Sequence, residues 1–352
     1  MKAILLAGGQ GTRLRPLTIN TPKPIVPIFN RPFLHYQIDL IKRVPEIDEV
    51  ILSLNYQPQR IEEVFGDGSA VGIKIRYVVE PEPLGTGGAV KYAADRLSES
   101  VVVFNADVLT QIDLASVIAL HRERSARATI VLTPVDNPSA YGLVETDAQG
   151  NVRRFLEKPR ADEITTNHIN AGIYVLEPDT FDRIPDGVPW SIERSYFPSL
   201  VERSETFVAY IYAGYWIDIG TPEKYTRVHR DIMDGRYVTT PFVNLAPGAT
   251  SVAPDAHVEE GAVLEGPCFL DERVVVKAGA RIGPYSVIGR DTLVDENASV
   301  DGAILWPNCH VSREAKVRNA ILGRNCRLGC SVSVDGTTVL GDNTTLTDYT
   351  RI

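Results

Sequence analysis

The sequence predicts an α/β domain on a mainly parallel sheet, followed by a parallel β-helix. Two patterns predict it. Before about residue 236, short buried-strand segments alternate with helical ones, and after residue 250 an aliphatic residue recurs at every sixth position. A loop near the N-terminus, rich in glycine, cations and proline, marks where a ligand is to be sought.

The strands come first. Residues 2–8, 49–55, 73–79, 100–106 and 128–135 are near-continuous aliphatic runs, the pattern of strands buried on both faces. Between them, residues 33–43, 58–65, 88–97 and 113–124 carry helical spacing, with Pro58 suited to a first turn and Asp113 to an N-cap. Such alternation makes βαβ units, and in the resulting sheets ligands sit beyond the carboxyl ends of the strands. The expected division is a domain over 1–235, a linker over 236–250 that includes Pro241, Pro247 and Gly248, and a repeat domain over 251–352.

The repeat runs unbroken through Val252, Val258, Leu264, Leu270, Val276, Ile282, Ile288, Val294 and Val300. One five-residue step resets it to Leu305, Val311 and Val317, and a second to Leu322, Leu328, Val334, Leu340, Leu346 and Ile352. Four residues after each of the first eight aliphatics stand Ala256, Ala262, Cys268, Val274, Ala280, Ser286, Thr292 and Ala298, nearly all small. Each aliphatic should point inward from a short strand, and each small residue should fit a tight corner. The pattern resembles the left-handed parallel β-helix of hexapeptide-repeat proteins, about three hexads to a coil and so roughly six coils.

Composition narrows the function. The formal net charge of −9 over 352 residues excludes a general nucleic-acid or anionic-membrane binder, so any anion site must be local. No apolar run approaches membrane length, and Met1–Ala7 is too short and too soon broken by glycine for a signal segment. Cys268, Cys309, Cys326 and Cys330 form no Cys-x-x-Cys pair, which points to reduced thiols in a cytoplasmic protein. The histidines show no ligand spacing.

The loop LLAGGQGTRLRPLTINTPKPIVPIFNRP (5–32) is neither a dinucleotide fingerprint nor a Walker A loop. Leu14 stands where the former needs its third glycine, and no Gly-Lys-Ser/Thr follows for the latter. What remains is a tight glycine turn whose N–H groups can approach an anion, with Arg13, Arg15 and Lys23 to neutralise it. Pro16, Pro22, Pro24 and Pro27 should exclude helix and hold the segment extended.

The stretch GGQGTRLRPLTINTPKPIVP resembles the signature of the sugar-1-phosphate nucleotidylyltransferases. The similarity continues in EPLGTGG (82–88), FNADV (104–108), YGLVETDAQGNVRRFLEKP (141–159), INAGIYVLEP (169–178), SIERSYFP (191–198) and GYWIDIGTPEKY (214–225). Within that family the blocks look most like the GDP-mannose pyrophosphorylases. The resemblance implies a Rossmann-like mixed sheet and a reaction that joins a nucleoside triphosphate to a sugar 1-phosphate with release of pyrophosphate. The attacking phosphate oxygen is already ionised, so positioning and charge neutralisation must do the catalysis.

By resemblance Arg13 and Lys23 hold the triphosphate and the leaving pyrophosphate, and Lys158 meets the phosphates. The backbone of Leu6, Ala7, Gly8, Gly9, Gly11 and Thr12 wraps base and phosphates, and Glu82, Gly85 and Thr86 line base and ribose. Gly142, Glu157, Asn170, Ala171 and Gly172 contact the sugar. Asp107, at the end of a strand, and Asp218, in an otherwise apolar stretch, either cap backbone groups or bind metal; the resemblance makes them ligands of Mg2+. GTP with mannose 1-phosphate is the expected pair, with a uridylyl or thymidylyl transfer to glucose 1-phosphate, or a non-catalytic regulatory relative, as alternatives. An acyltransferase in the repeat domain would need a base, and His257 and His310 lack surrounding motifs for it. Apolar Phe269, Leu293 and Trp306 at outward positions should meet another copy or the chain's own catalytic domain, and a homo-oligomer through 251–352 is expected.

Overall fold

The computed structural model describes all residues except Asn30. The chain forms two compact units: Met1–Gln10 with Leu34–Asp218, and Gly11–Phe33 with Ile219–Ile352. Gly11–Phe33 belongs with the C-terminal repeat, and residues 236–250 are no bare tether, since Tyr237 and Phe242 are buried there.

A nine-stranded sheet organises the first unit. Lys2–Leu6 is paired in parallel on one side with Glu49–Leu54 and on the other with Val101–Asn105. Lys74–Val79 extends the first side in parallel, while His168–Leu176 adds to the second side antiparallel. Ala128–Pro134 and Gly142–Thr146 both pair with His168–Leu176, and Phe207–Ile211 and Val152–Glu157 complete the edges. The aliphatic runs earn their place by burial: Ile4, Val103, Ile130 and Tyr174 lie in one core with Phe197 and Phe207. Helices Leu34–Ile41, Pro58–Phe65 and Leu114–Glu123 fall where the spacing predicts, the last capped by Asp113, while Gly85–Ala93 starts and ends earlier than the expected 88–97. Strand order reverses at Lys2–Leu6, so the crevice for a ligand opens at the carboxyl ends of this strand and Val101–Asn105.

The second unit is a parallel β-helix. Strands of two or three residues stack into parallel sheets of six, six and five, each carrying one inward aliphatic, with Val276, Ile282, Ile288, Val294 and Val300 wholly buried. The six-residue period has a second expression. The third residue after most of these aliphatics has left-handed backbone, as at Gly279, Tyr285, Asp291 and Asn297. A corner at that conformation turns the chain from one face of the prism to the next. Glycine and asparagine adopt it most cheaply, and they hold several of these corners. Strand register confirms the stacking: Val276 lies over Val294, Ile282 over Val300, and Leu322 over Leu340.

Candidate functional site

The first unit supplies one set of candidate residues. Leu6 ends its strand, and Ala7, Gly8 and Gly9 turn away from the carboxyl edge, Ala7 donating from its N–H to the Ser53 carbonyl. Asp107 follows the neighbouring strand Val101–Asn105. The turn that carries it is held by buried Gln37, whose Nε2 donates to the carbonyls of Asn105 (2.9 Å) and Val108 (2.8 Å). Trp216–Asp218 pairs antiparallel with Val108–Thr110, and its register sets Asp218 opposite Val108, the chain neighbour of Asp107. Two hard oxygen donors thus share one short ribbon. Among the described residues no three His, Cys, Asp or Glu side chains converge as a complete metal cage. Asp107 in the turn and Asp218 on the strand paired with the next residues could offer carboxylate oxygens to a cation that completes its shell with water and substrate phosphates.

On the same unit, Gly142–Thr146 and Val152–Glu157 form a hairpin turned at Gly150. Gly142 is required by its neighbours: a Cβ there would stand 2.6 Å from the Phe155 ring and 3.0 Å from Glu157 Oε2. The Glu157 carboxylate therefore lies along bare backbone, half-buried. Burial first, and the nearby Glu193 carboxylate second, push its pKa up from the ordinary range. Lys158 follows with left-handed backbone and donates from its N–H to the Tyr141 carbonyl at 3.0 Å. The Asn170 side chain is turned to its own strand: Nδ2 donates to the Tyr174 hydroxyl (2.8 Å), and Oδ1 accepts from the Gly172 N–H (2.9 Å). Ala171 offers its carbonyl to Trp216 Nε1 at 2.9 Å.

Glu82 lies in the loop before the helix Gly85–Ala93, and Gly85 and Thr86 open that helix, where the chain is clipped on both sides. Buried Glu80 accepts from the Leu84 N–H (2.9 Å) and from Ser53 Oγ (3.1 Å). The Trp190 carbonyl accepts from Gly87 and Gly88, and Leu84 accepts from the Trp190 N–H. Thr86 Oγ1 donates to Glu193 and accepts from the Ile192 N–H. Glu82 itself is exposed. Glu80 and Glu193 escape a sequence reading because the contacts that tie them into the fold, Ser53 to Glu80 and Thr86 to Glu193, span 27 and 107 residues; the local hint was Glu193 within the SIE block.

The second unit holds Gly11, Thr12, Arg13 and Lys23. The segment is not simply extended: Thr12–Leu14 and Lys23–Ile25 are 3-10 turns, which prolines tolerate because so few backbone donors are used. Thr18 Oγ1 donates to the Gly11 carbonyl at 2.8 Å. Arg13 is exposed, whereas Leu14 and Leu17 are wholly buried beneath it. The far end is pinned to the β-helix. Tyr225 donates its hydroxyl to the Pro27 carbonyl and accepts from Trp306 Nε1 at 3.0 Å. His229 Nδ1 donates to the Tyr225 carbonyl at 2.9 Å, leaving Nε2 to accept from the Phe29 N–H at 3.4 Å. The Phe29 ring packs on His229, Phe242 and Phe269 at 4.8 to 5.2 Å. Gly341 lets the loop approach closely: a Cβ there would stand 3.1 Å from Pro16 Cβ, a tight contact. Outward Phe269 and Trp306 therefore meet this loop and the helix Pro222–Met233, and both are buried within the chain.

A family model described as Nucleotidyl transferase matches residues 2–235, and one described as GMPPB C-terminal domain matches residues 264–352. The chain is 40% identical over 88% of its length to a mannose-1-phosphate guanylyltransferase of Mycobacterium tuberculosis, covering 83% of that protein. It is 36% identical over 99% of its length to a probable mannose-1-phosphate guanylyltransferase 2 of Arabidopsis thaliana, covering 93% of it. A UTP--glucose-1-phosphate uridylyltransferase of Synechocystis is 30% identical over 95% of this chain and 91% of its own. Among solved structures, HddC from Yersinia pseudotuberculosis complexed with GMP-PN is similar at a TM-score of 0.55 and 31% identity, over 64% of this chain and 96% of that one.

Proposed function

Because the chain belongs to the nucleotidyl transferase family, we propose that it joins GTP to mannose 1-phosphate, giving GDP-mannose and pyrophosphate. The observation that carries the reaction class is the register at the carboxyl edge, where Asp218 stands opposite Val108 beside Asp107, next to the Gly8–Gly9 turn of the reversing strand. The base and sugar rest on the guanylyltransferase relatives.

A phosphate oxygen of the sugar 1-phosphate attacks the α-phosphorus, and the bond from that phosphorus to the bridging oxygen of the β-phosphate breaks. No proton need be removed from the nucleophile. Arg13 and Lys23 hold the triphosphate and take up the charge of the departing pyrophosphate. Lys158 neutralises the attacking phosphate, and Glu157 accepts from sugar hydroxyls. Backbone N–H groups of residues 6–12 orient the nucleotide, with Glu82, Gly85 and Thr86 on its base and ribose side. Enzymes of this family generally use a divalent metal ion; we assign Mg2+ to Asp107 and Asp218, where it would screen the α-phosphate and draw electron density from phosphorus.

We also place this chemistry in residues 1–235, with 236–250 as connector and 251–352 as scaffold. Among the described residues no helix is long and apolar enough to cross a membrane; all four cysteines are free thiols, which supports a cytoplasmic setting. Val252 and Val263 on the first coil are exposed and support self-association through that domain; light scattering of the full chain that gives only monomer at micromolar concentration removes this. The decisive experiment for function is pyrophosphate release over a panel of triphosphates and sugar 1-phosphates. The greatest kcat/KM is expected for GTP with mannose 1-phosphate. The uridylyltransferase relative makes UTP with glucose 1-phosphate the second reading, and a pyrimidine preference in the panel selects it.

A further inference from the structure

Tyr141 stands where three parts of the first unit meet. Its carbonyl accepts from the Lys158 N–H at 3.0 Å, and its own N–H donates to the Pro138 carbonyl at 3.0 Å, so the backbone is held on both sides. Its ring packs edge-on against Trp216 at 5.7 Å, two residues before Asp218 on the same strand. Trp216 is anchored in turn through Nε1 to the Ala171 carbonyl. From this fixed ring the hydroxyl donates to Asp218 Oδ1 at 3.1 Å.

We propose that Tyr141 is a positioning residue that orients the Asp218 carboxylate for a divalent cation. The proposal rests on the assignment of Asp218 as a metal ligand. A carboxylate can turn about its last bond, and a donor held in place against one oxygen narrows that turn. The donor type matters. An ammonium or guanidinium in this place would compete with the cation for the same charge, whereas a phenol directs the carboxylate and leaves its full negative charge. Groups that hydrogen-bond a metal ligand typically change metal affinity by about 10–100-fold when removed. Because Gly142 and Lys158 adjoin the same backbone, the tyrosine also ties the cation's carboxylate to the strand pair that carries Glu157.

Mn2+ serves as the probe. Its binding to the full chain is followed by water-proton relaxation at constant saturating concentration of a non-reactive GTP analogue, for the wild type, Tyr141→Phe and Asp218→Asn. The phenylalanine keeps the ring contact with Trp216, and thermal melts check that both variants fold. Asp218→Asn should weaken Mn2+ by about tenfold or more, and Tyr141→Phe by about three- to tenfold with analogue affinity in excess chelator unchanged. Wild-type Mn2+ affinity in Tyr141→Phe with weakened binding in Asp218→Asn overturns the positioning role alone. Wild-type affinity in Asp218→Asn overturns the metal assignment, and the positioning role falls with it.

Discussion

Thr86 donates a 2.7 Å hydrogen bond to Glu193 while its own oxygen accepts from the Ile192 N–H, closing the loop of the LGTGG block onto the SIE block. One hydroxyl thus serves both a backbone donor and a carboxylate that also accepts from Ser191 Oγ at 2.9 Å. Thr86→Val preserves shape and removes both bonds. It should cost about 1–2 kcal/mol in urea denaturation, since a half-buried backbone donor is left unsatisfied, and Thr86→Ser should recover most of it. Equal stability of the valine variant and the wild type contradicts the clip.

The Asp107 and Asp218 assignment predicts a kinetic loss without a structural one. Either Asp→Asn change should lower kcat by at least ~10²-fold with the circular dichroism unchanged. Full activity in either variant, or in excess chelator, excludes the assignment.

Arg13 and Lys23 should differ from an ordinary surface cation. Removing a charge that meets the leaving group in a desolvated site raises the barrier by several kcal/mol, against less than about 1 for an exposed one. Arg13→Ala and Lys23→Ala should each slow turnover by ~10²-fold or more. Arg60→Ala, exposed on the helix Pro58–Phe65, should be nearly silent. Small, equal effects at all three contradict the roles given.

Glu157 makes a prediction in pH. Its carboxyl is raised by burial and by Glu193, so the folded protein holds this proton more tightly than the unfolded chain. Stability from this group therefore falls as pH rises from the ordinary carboxyl value through the raised one, and the deficit persists above it. Glu157→Gln should melt higher than wild type at neutral pH, the gap closing below about pH 4. The same change should raise KM for the sugar phosphate. A lower melting temperature at neutral pH would falsify the stability half.

His229 works with the opposite slope. Complete burial lowers its pKa to about 4, and it stays neutral between Tyr225 and Phe29. The unfolded chain takes up a proton near pH 6.5 that the folded one refuses until about pH 4. Its contribution is whole above pH 6.5 and is lost progressively between there and 4, by up to about 3 kcal/mol. His229→Gln should flatten that stretch of the stability profile; an unchanged slope assigns the acid sensitivity elsewhere.

Legibility followed the range of the interactions. Aliphatic runs such as VVVFN and the six-residue recurrence are local patterns, and burial turned each into a strand where expected. The Asp113 cap needs only its next three residues and was equally readable. The seats of Phe269 and Trp306 were not, because their partners Phe29 and Tyr225 lie far along the chain. Two bulky apolar side chains on an outer face read equally well as a subunit contact or an internal one. The left-handed corners were missed for another reason: Tyr285, Glu314 and Thr337 occupy a conformation that their side chains do not advertise.

The anchoring of Phe29 carries a consequence for how the molecule is made. His229, which receives the Phe29 N–H, follows it by 200 residues in the chain and so is made that much later. At the usual pace of synthesis the gap is roughly 10–40 s, and Phe269 and Trp306 emerge later still. During that interval the loop around Phe29 has no floor to settle on. A nascent chain interrupted before the prism is built would carry the signature sequence without its shape. The loop is therefore set only once the residues that seat it, as far as Phe269, have been made.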